Sequence, residues 1–426
     1  MPTVQRERLT VVHGDGAWLT TSTGDRLLDG TAGLWHANIG HGRQRLADAA
    51  RAQMTSLETY HVFGRSANEP ALRLADRLAE MVPVAGSKIF LTSGGSDSIE
   101  AACKLARLHW QLEGRPQKRI VVSRERAYHG LHAFGTSIGG LTYNRTGYGT
   151  SSLVPECARI PTHGLDGAIE VMEQIGCENI AAIITEPVLG TGGVHGPEQG
   201  YLEGLEEFAR ANDILLIIDE VITGFGRTGR MFASERWQLS PDIMTMAKGI
   251  TSGYAPLGGI AVAPRVADRF FTGKDAPIFR HGLTYSGHAT ACAVAEANID
   301  VIVDEALVTR AAKLEEVLVS EVGSLRTHPL VREVRAGCGL LAGVELNADA
   351  DAAAVADLCS ESGLMTRVIH GNTLQISPPF VVTEPEIELL AATMRSALDH
   401  YSTARVAPVI PEVSDFQKGA LCSRKT

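Results

Sequence analysis

Short apolar runs alternate with amphipathic segments over residues 70–300, and this alternation restricts the possible fold more than any other feature of the sequence. The runs have the length of strands, and the segments between them carry apolar residues at the spacing of a helix face. Alternating strands and helices predict an α/β domain built around a mostly parallel sheet. The expected strands are 88–92, 119–123, 180–185, 214–219, 243–247 and 258–263, with helices at 96–113, 166–176, 200–212 and 286–304.

The order of elements changes after about residue 305, which predicts a second, smaller α+β unit. A helix, a strand at 340–346, a helix near 350–362, a strand at 374–377 and a closing helix are expected there. We therefore expect four parts: an N-terminal segment that joins the small unit (1–65), a large unit (66–305), the C-terminal part of the small unit (306–411) and a loose tail (412–426).

Charge and composition exclude several classes of protein. The net charge is −10, and no basic stripe is present, so nucleic acid is not an expected partner. No run approaches the about 18 apolar residues of a membrane helix, and the polar start MPTVQRERLT is unlike a signal peptide, which favours the cytoplasm. The seven cysteines are scattered without CxxC, and the 14 histidines form no HExxH, so neither a disulfide framework nor a bound metal is expected.

Two apolar runs end in charged residues that catalysis can use. Asp219 closes the run 214–219, at the end of a strand where α/β proteins bind ligands, and it would suit a protonated ring nitrogen. Lys248 follows the run 243–247 among small residues, where lost solvation would lower its pKa as a Schiff-base amine requires. Each residue taken alone has an ordinary alternative: Asp219 would cap a turn, and Lys248 would extend to the surface.

Residues 91–100, LTSGGSDSIE, pass from a strand through two glycines into the start of a helix. Backbone N–H groups at that helix start, with the hydroxyl of Ser96, would form a seat for a phosphate. An ordinary serine cap at a tight turn is the alternative. No GK[ST] follows, which excludes a nucleotide P-loop.

Two literal motif matches point to other enzyme classes, and we reject both. Gly224–Gly229 reads GxGxxG, but no convincing helix follows it, and the acidic residue expected about 20 positions later is absent. Gly135–Gly139 reads GxSxG, but no β-branched strand leads into it. Neither a nicotinamide site nor a hydrolase elbow is therefore expected.

A carboxylate for a ring nitrogen, a lysine for an aldehyde and a helix start for a phosphate together suit one cofactor, pyridoxal 5′-phosphate (PLP). The segments TSGGSDS, AYHG, TEPV, IIDEVITGFGRTG, AKGITSGYAPLGG and GLTYSGHATACA, in this order, closely resemble the class III aminotransferases of PLP fold type I. The resemblance spans roughly residues 25–400. It implies an α/β fold with a mostly parallel seven-stranded sheet in the large domain, and a smaller α+β domain made from the N- and C-terminal segments.

The resemblance also implies roles for individual residues. Lys248 would form the Schiff base and move the proton, while Asp219 would keep the ring nitrogen protonated. Ile222 and Tyr128 would pack on the two faces of the ring. The remaining cofactor contacts would come from Gly95, Ser96, His129 and Glu186, and from Thr284 of a neighbouring subunit, which implies a homodimer with shared sites, with a tetramer of such dimers as the alternative.

The phosphate turn departs from the usual family sequence. Relatives often have Asn-Ser-Gly-Ser-Glu, whereas this chain has Ser93-Gly94-Gly95-Ser96-Asp97. The Gly-Ser core is kept, so we expect the phosphate seat to be kept, with different contacts beside it.

On the substrate side, AKGITSGYAPLGG resembles the ω-amino acid:pyruvate and amine:pyruvate subgroup. Trp35 stands where this subgroup has an aromatic pocket wall, although a core tryptophan is the alternative, and Tyr60 is a further pocket candidate. Arg367 resembles a mobile arginine that binds the acceptor carboxylate and swings away for a neutral amine; a surface arginine is the alternative. Before Ser377-Pro378-Pro379, where glutamate-using relatives have arginine, this chain has Gln375-Ile376, which favours pyruvate over 2-oxoglutarate.

The resemblance therefore implies ping-pong transamination from a primary amine or ω-amino acid to a 2-oxo acid, with an (S) preference as a family expectation. An aminomutase or a decarboxylating transaminase on the same fold is the nearest alternative. A nicotinamide-dependent oxidoreductase and a PLP-binding protein without turnover are alternatives from other classes.

Overall fold

The computed structural model describes residues 9–149 and 153–406, and it begins with a small antiparallel meander followed by helices. Neither the meander nor the helices at 44–56 and 69–81 were among the elements expected from the sequence. Asn68 caps the third helix by accepting a hydrogen bond from Ala71 N. The N-terminal elements are β1 (Val11–Asp15), β2 (Trp18–Thr21), β3 (Arg26–Asp29), α1 (Ala32–Trp35), α2 (Gln44–Ser56) and α3 (Glu69–Met81).

A seven-stranded, mostly parallel sheet lies at the centre of the molecule; the alternating pattern predicts the parallel sheet, and the family resemblance implies its seven strands. Its strands are β4 (Lys88–Thr92), β5 (Ile120–Arg124), β6 (Cys157–Ile160), β7 (Ile180–Thr185), β8 (Leu215–Asp219), β9 (Ile243–Met246) and β10 (Gly258–Val262). The helices between them are α4 (Gly95–Leu112), α5 (Ala133–Ile138), α6 (Leu165–Ile175), α7 (Tyr201–Ala211), α8 (Ala233–Arg236) and α9 (Pro264–Ala267). The spatial order is β4-β10-β9-β8-β7-β5-β6, with β10 antiparallel to both its neighbours and the remaining pairs parallel.

Helices cover both faces of this sheet, which is why its central strands are apolar without alternation. Leu215 and Ile217 of β8 pack in the same cluster as the apolar side of α4. Leu216 and Ile218 point the other way, into the cluster that contains residues of α6 and α7. Asp219 comes next, at the carboxyl end of this fully buried strand. Ligands bind at this edge in open α/β sheets.

The C-terminal part forms the smaller unit, with one four-stranded antiparallel sheet and the helices that pack beside it. Its sheet has the order β11-β12-β15-β14. The elements from residue 289 onward are α10 (Ala289–Asp304), α11 (Leu307–Gly323), β11 (Val331–Arg335), β12 (Ala342–Leu346), α12 (Ala352–Glu361), β13 (Leu364–Met365), β14 (Val368–Ile369), β15 (Thr373–Ile376) and α13 (Glu384–Val406).

The N-terminal meander is joined to this smaller unit by strand pairing. Leu364 and Met365 of β13 pair in parallel with Leu28 and Asp29 of β3. This pairing agrees with the expectation that residues 1–65 contribute to the small domain, whereas the exact domain boundaries stay a prediction. The expected loose tail, 412–426, lies outside the described residues. In the part of the chain that is described, no helix is long and apolar enough to span a membrane.

Candidate active site

The predicted functional residues meet at the carboxyl edge of the large sheet. Asp219 ends β8, Glu186 follows β7, and Lys248 follows β9. Because these strands are parallel, their carboxyl ends lie side by side at one edge. The edge surrounds a cavity of about 480 Å³, which is also lined by Gly95, Ser96, Tyr128, His129 and Ile222. That volume is within the range of about 300–1,000 Å³ found for small-molecule sites.

The predicted phosphate seat lies where β4 turns into α4. Helix α4 begins at Gly95 and is 18 residues long, so the unpaired N–H groups of its first turn face the cavity with the full helix dipole behind them. A Cβ atom at Gly95 would lie 2.9 Å from Cγ1 of Val221, so only glycine fits without displacing that side chain. The hydroxyl of Ser96 accepts a 3.3 Å hydrogen bond from Leu131 N. Ser96 is therefore tied to the loop that follows β5.

Asp219 is held in a fixed orientation by three donors. Its Oδ1 accepts hydrogen bonds from Val221 N (3.1 Å) and from Thr245 Oγ1 (2.9 Å). Its Oδ2 accepts a 2.8 Å hydrogen bond from Nδ1 of His129. The alternative that Asp219 only caps a turn therefore explains the contact of Oδ1 with Val221 N, but it does not explain why a buried imidazole orients Oδ2. Nε2 of His129 is buried and has no hydrogen-bond partner among the described residues.

The neighbouring Glu220 has a different environment, although the sequence places it beside Asp219. Its carboxylate accepts hydrogen bonds from Thr223 Oγ1, Ala233 N, and both N and Oγ of Ser234. These donors bind the start of α8 to the end of β8. Glu220 is fully buried and does not line the cavity, so it is the structural acid of the pair.

Lys248 lies on the 3₁₀ turn that follows β9, with its side chain in the cavity. Burial lowers its pKa from 10.5 to about 8, while the carboxylates of Asp219 and Glu186 act in the opposite direction. A lysine with this pKa is partly unprotonated near neutral pH and can act as a nucleophile or a base. The alternative of a lysine that extends to the surface is therefore wrong.

Glu186 and Ile222 shape the walls of the cavity. The buried carboxylate of Glu186 accepts hydrogen bonds from Tyr128 N (2.9 Å) and Gly190 N (3.0 Å), and burial raises its pKa. Glu186 therefore fixes the backbone that carries Tyr128. A Cβ atom at Gly190 would lie 2.5 Å from Cδ1 of Ile222, so the isoleucine packs directly on this turn.

A second cavity, of about 560 Å³, adjoins the first and shares Tyr128 and Lys248 with it. Trp35 and Arg367 line it together, and the guanidinium carbon of Arg367 lies 4.5 Å from the centre of the Trp35 ring. Nε of Arg367 donates a 2.6 Å hydrogen bond to Oε1 of Gln375. Within the described residues, no carboxylate forms a salt bridge with Arg367. The cavity therefore presents an arginine whose charge is available to a ligand.

The loop that carries Trp35 is held in an unusual backbone conformation. Ala32 and Trp35 have φ values of 46° and 60°, in the left-handed region that side chains disfavour. Asp29, which is fully buried, accepts hydrogen bonds from N and Oγ1 of Thr31 and from Gly33 N. Strained backbone persists where such surrounding contacts determine it. Asp29 therefore fixes the wall of the second cavity.

Two predicted residues do not reach the cavities of this chain. Thr284 lies in an exposed turn, and Tyr60 is 52% exposed with its ring stacked on His61 at 4.6 Å. Neither residue lines either cavity. Their roles stay predictions, and the role of Thr284 depends on a second copy of the chain.

The structure also adds residues that the sequence did not indicate. His36 lines the first cavity beside Trp35, and Tyr143 lines the second one near Arg367. Tyr143 follows the short helix α5 in a turn without any periodic pattern, so no local signal could have identified it. His36 follows Trp35 directly and could have been proposed from that proximity.

The two rejected motifs have structures that agree with their rejection. Gly224–Gly229 forms a series of turns and does not open a helix. Ser137 of the GxSxG match lies within α5, where its hydroxyl donates to Ala133 O. A nucleophile elbow requires a serine at a sharp strand-to-helix turn instead.

Comparison with known proteins gives full-length matches. The family model for class-III aminotransferases matches residues 2–398. The putrescine–pyruvate aminotransferase of Pseudomonas aeruginosa is 35% identical over 423 residues, which cover 93% of this chain and 92% of that protein. Among solved structures, an (S)-enantioselective omega-transaminase from Thermomicrobium roseum is 37% identical with a TM-score of 0.89, covering 93% of this chain and 94% of that one. A PLP-bound amine transaminase from an uncultivated Pseudomonas species is 35% identical with a TM-score of 0.89, covering 94% and 96%.

Proposed function

The chain belongs to the class III aminotransferases, which are PLP-dependent enzymes of PLP fold type I, and from this premise we propose that it transfers the amino group of a primary amine or an ω-amino acid to pyruvate. The single observation that supports this substrate pair best is the guanidinium of Arg367, which has no salt bridge within the described residues and is stacked on Trp35 in the cavity next to Lys248. A carboxylate-bearing acceptor needs such a cation, and a neutral amine needs an apolar wall.

The residues of the first cavity fit the cofactor. The helix start at Gly95 and the hydroxyl of Ser96 would hold its phosphate, and the carboxylate of Asp219 would hold its ring nitrogen. Tyr128 and Ile222 would bound the ring. When bound, PLP supplies an aldehyde that captures the amino group and a ring that withdraws electrons from the bond to be broken.

Lys248 would then perform the acid–base work, and Asp219 would hold the ring nitrogen. The lowered pKa of Lys248 allows its Nζ to take the proton from the carbon that bears the substrate's amino group. The same Nζ can then give this proton to a different atom within the cavity. Asp219 would keep its orientation beside the ring nitrogen, because His129, Thr245 and Val221 N hold both its oxygens in place. Glu186 would act indirectly, by fixing the backbone of Tyr128.

Arg367 would bind the acceptor carboxylate, and the reaction would proceed in two half-reactions, with the first product leaving before pyruvate binds. Support for pyruvate comes from a relative of this chain that is named for putrescine and pyruvate. The (S) preference is proposed on the same grounds, from the name of a solved relative.

The acceptor assignment is tested by Arg367→Met. Because a bidentate arginine–carboxylate contact contributes about 1.5–3 kcal/mol, we expect the KM for pyruvate to rise about 10- to 100-fold, with a much smaller change in the KM for the amine. Arg51→Met, at an arginine whose side chain is 79% exposed, is the control. Equal changes in both KM values would contradict the assignment.

Measuring one alanine formed for each pyruvate consumed, without release of CO₂, separates transamination from the aminomutase and decarboxylating alternatives.

We also propose a homodimer with shared active sites. Thr284 is exposed and lies outside the cofactor cavity of its own chain, which suits a role at the phosphate of a neighbouring subunit. Exposed aromatic side chains at Tyr60, Phe63 and Tyr285 would be covered in such an assembly. The mass of the native protein measures this directly, since a dimer has twice the 45.5 kDa of one chain.

A further inference from the structure

We propose that Gln375 is a positioning residue that sets Arg367 for capture of the acceptor carboxylate, an inference that rests on the proposed function. Its place in the small-domain sheet determines its neighbour. The register of β14 and β15 pairs Val368 with Leu374, and Gln375 N continues the ladder by donating a 2.9 Å hydrogen bond to Arg367 O. The two residues are therefore directly opposite each other, where side chains of adjacent strands meet.

The carboxamide of Gln375 can have only one orientation. Its Nε2 donates to Ser377 Oγ (2.7 Å) and points at Thr31 O (3.4 Å). The hydroxyl of Ser377 gives its own proton to Thr31 O at 3.0 Å, so it is left to accept from Gln375. With the amide nitrogen committed in this way, Oε1 must face Arg367, and it accepts the 2.6 Å hydrogen bond from Nε.

This contact determines which edge of the guanidinium faces the cavity. Nε is occupied by Gln375, and one face of the group lies over Trp35. The two Nη groups have no hydrogen-bond partner among the described residues, and they form the edge that binds a carboxylate in a bidentate manner. Burial lowers the pKa of Arg367, but the group keeps its charge because an arginine pKa stays far above neutral.

A neutral acceptor at position 375 suits an arginine that must also move. A carboxylate there would form a buried ion pair with Arg367, which would compete with the acceptor carboxylate for the same charge. An apolar residue would leave Nε to water and the guanidinium free to rotate. Gln375 is itself fully buried and bonded to both Ser377 and the loop of Thr31, so it provides a fixed point for a mobile partner.

The test compares acceptors with and without a carboxylate. Protein loaded with pyridoxamine 5′-phosphate is mixed with pyruvate or with propanal, and the return of the visible absorption of the lysine-bound cofactor is followed in a single turnover. For Gln375→Met we expect the second-order rate constant for pyruvate to fall about tenfold, which is the effect of one charge-assisted hydrogen bond. The second-order rate constant for propanal should change less than about twofold. Gln375→Glu should lose pyruvate reactivity as well, because it neutralises the arginine.

A second measurement does not depend on turnover. The Kd of pyruvate for the PLP-loaded protein, measured by calorimetry, should rise about tenfold in Gln375→Met. Thr366→Val is the matched control: Thr366 is buried on the same hairpin, and its hydroxyl donates to Gln375 O rather than to the side chain. It should leave both the Kd and the pyruvate-to-propanal ratio unchanged.

The double variant separates the possible failures. If Gln375 acts through Arg367, adding Gln375→Met to Arg367→Met should have no further effect on pyruvate. A loss of the same size in both backgrounds, or in Thr366→Val, would overturn the inference and assign Gln375 a purely structural role. If Arg367→Met itself does not change the preference for pyruvate over propanal, the acceptor site of the proposed function fails first. If Arg367→Met changes the preference for pyruvate over propanal but Gln375→Met does not, only the positioning role of Gln375 is wrong.

Discussion

Replacing Lys248 should stabilise the protein without its cofactor while abolishing turnover. The cavity lowers the pKa of this lysine from 10.5 to about 8, so the unfolded chain holds the proton more tightly than the folded chain does. Below about pH 8, Lys248 is protonated in both the folded and the unfolded chain, so folding must place a charged amine in a cavity that disfavours the charge. Lys248→Met removes that cost together with the reactive amine.

The size of the effect follows from the two pKa values. At about 1.36 kcal/mol for each pH unit between them, the cost is about 3 kcal/mol at pH 7. As the pH rises through 8, the folded protein releases the proton first, and the apoprotein becomes more stable. By pH 10 the cost should be less than about 1 kcal/mol, since the unfolded chain is then also losing its proton. Any gain from packing the methionine is the same at both pH values.

Urea denaturation of the two apoproteins, followed by circular dichroism at equal concentration, measures this difference. We expect the stability advantage of Lys248→Met over the original chain to be about 2–3 kcal/mol larger at pH 7 than at pH 10. The control is Lys313→Met, at an exposed lysine on α11, which should show no such pH dependence. An advantage that is equal at both pH values would refute the claim that the cavity lowers the lysine pKa.

Three further substitutions test the assignments around the cofactor cavity. Asp219→Asn should lower kcat at least about 100-fold with little change in Tm, because it removes the charge beside the ring nitrogen; unchanged kcat would exclude that role. Glu220→Gln should have the opposite effect: it should lower the free energy of unfolding in urea by about 1–3 kcal/mol, while the folded fraction keeps its activity. The reason is that the amide's NH₂ group would face N–H donors that now donate to the carboxylate. Gly95→Ala should weaken PLP binding about tenfold in a cofactor titration, because its Cβ would lie 2.9 Å from Val221, whereas Gly167→Ala, on α6 outside the cavity, where the added Cβ would meet only Pro161 at 3.8 Å, should bind normally.

The large sheet was predictable because its strands are buried on both faces. Every residue of β7 and β8 is buried, so each appears in the sequence as an uninterrupted apolar run. Strand β6 was missed for the converse reason. Only Ile160 of its four residues is fully buried, which leaves no apolar run to recognise. The short strands β13 and β14 depend on pairing with distant partners and have no signal of their own.

The functional residues that could be predicted from the sequence are those that lie singly at the end of a strand. Asp219 and Lys248 follow apolar runs directly, and the resemblance to a known family supplied their roles. The sequence assigned no role to Glu220, and its structural role is visible only from the donors on α8, whereas the imidazole of His129 orients Asp219. The contact between Arg367 and Trp35 joins segments more than 300 residues apart, so no local pattern could reveal it.

The visible spectrum of the purified protein shows whether Lys248 holds the cofactor and whether an amine and pyruvate react there in turn. We expect an absorption band of the lysine-bound cofactor, which disappears when a suitable primary amine is added and returns when pyruvate follows. Lys248→Ala should bind PLP without this reversible change. Absence of the band after incubation with excess PLP, or a band that no primary amine or ω-amino acid removes, would contradict the assignment of Lys248 and of the amine-to-pyruvate reaction.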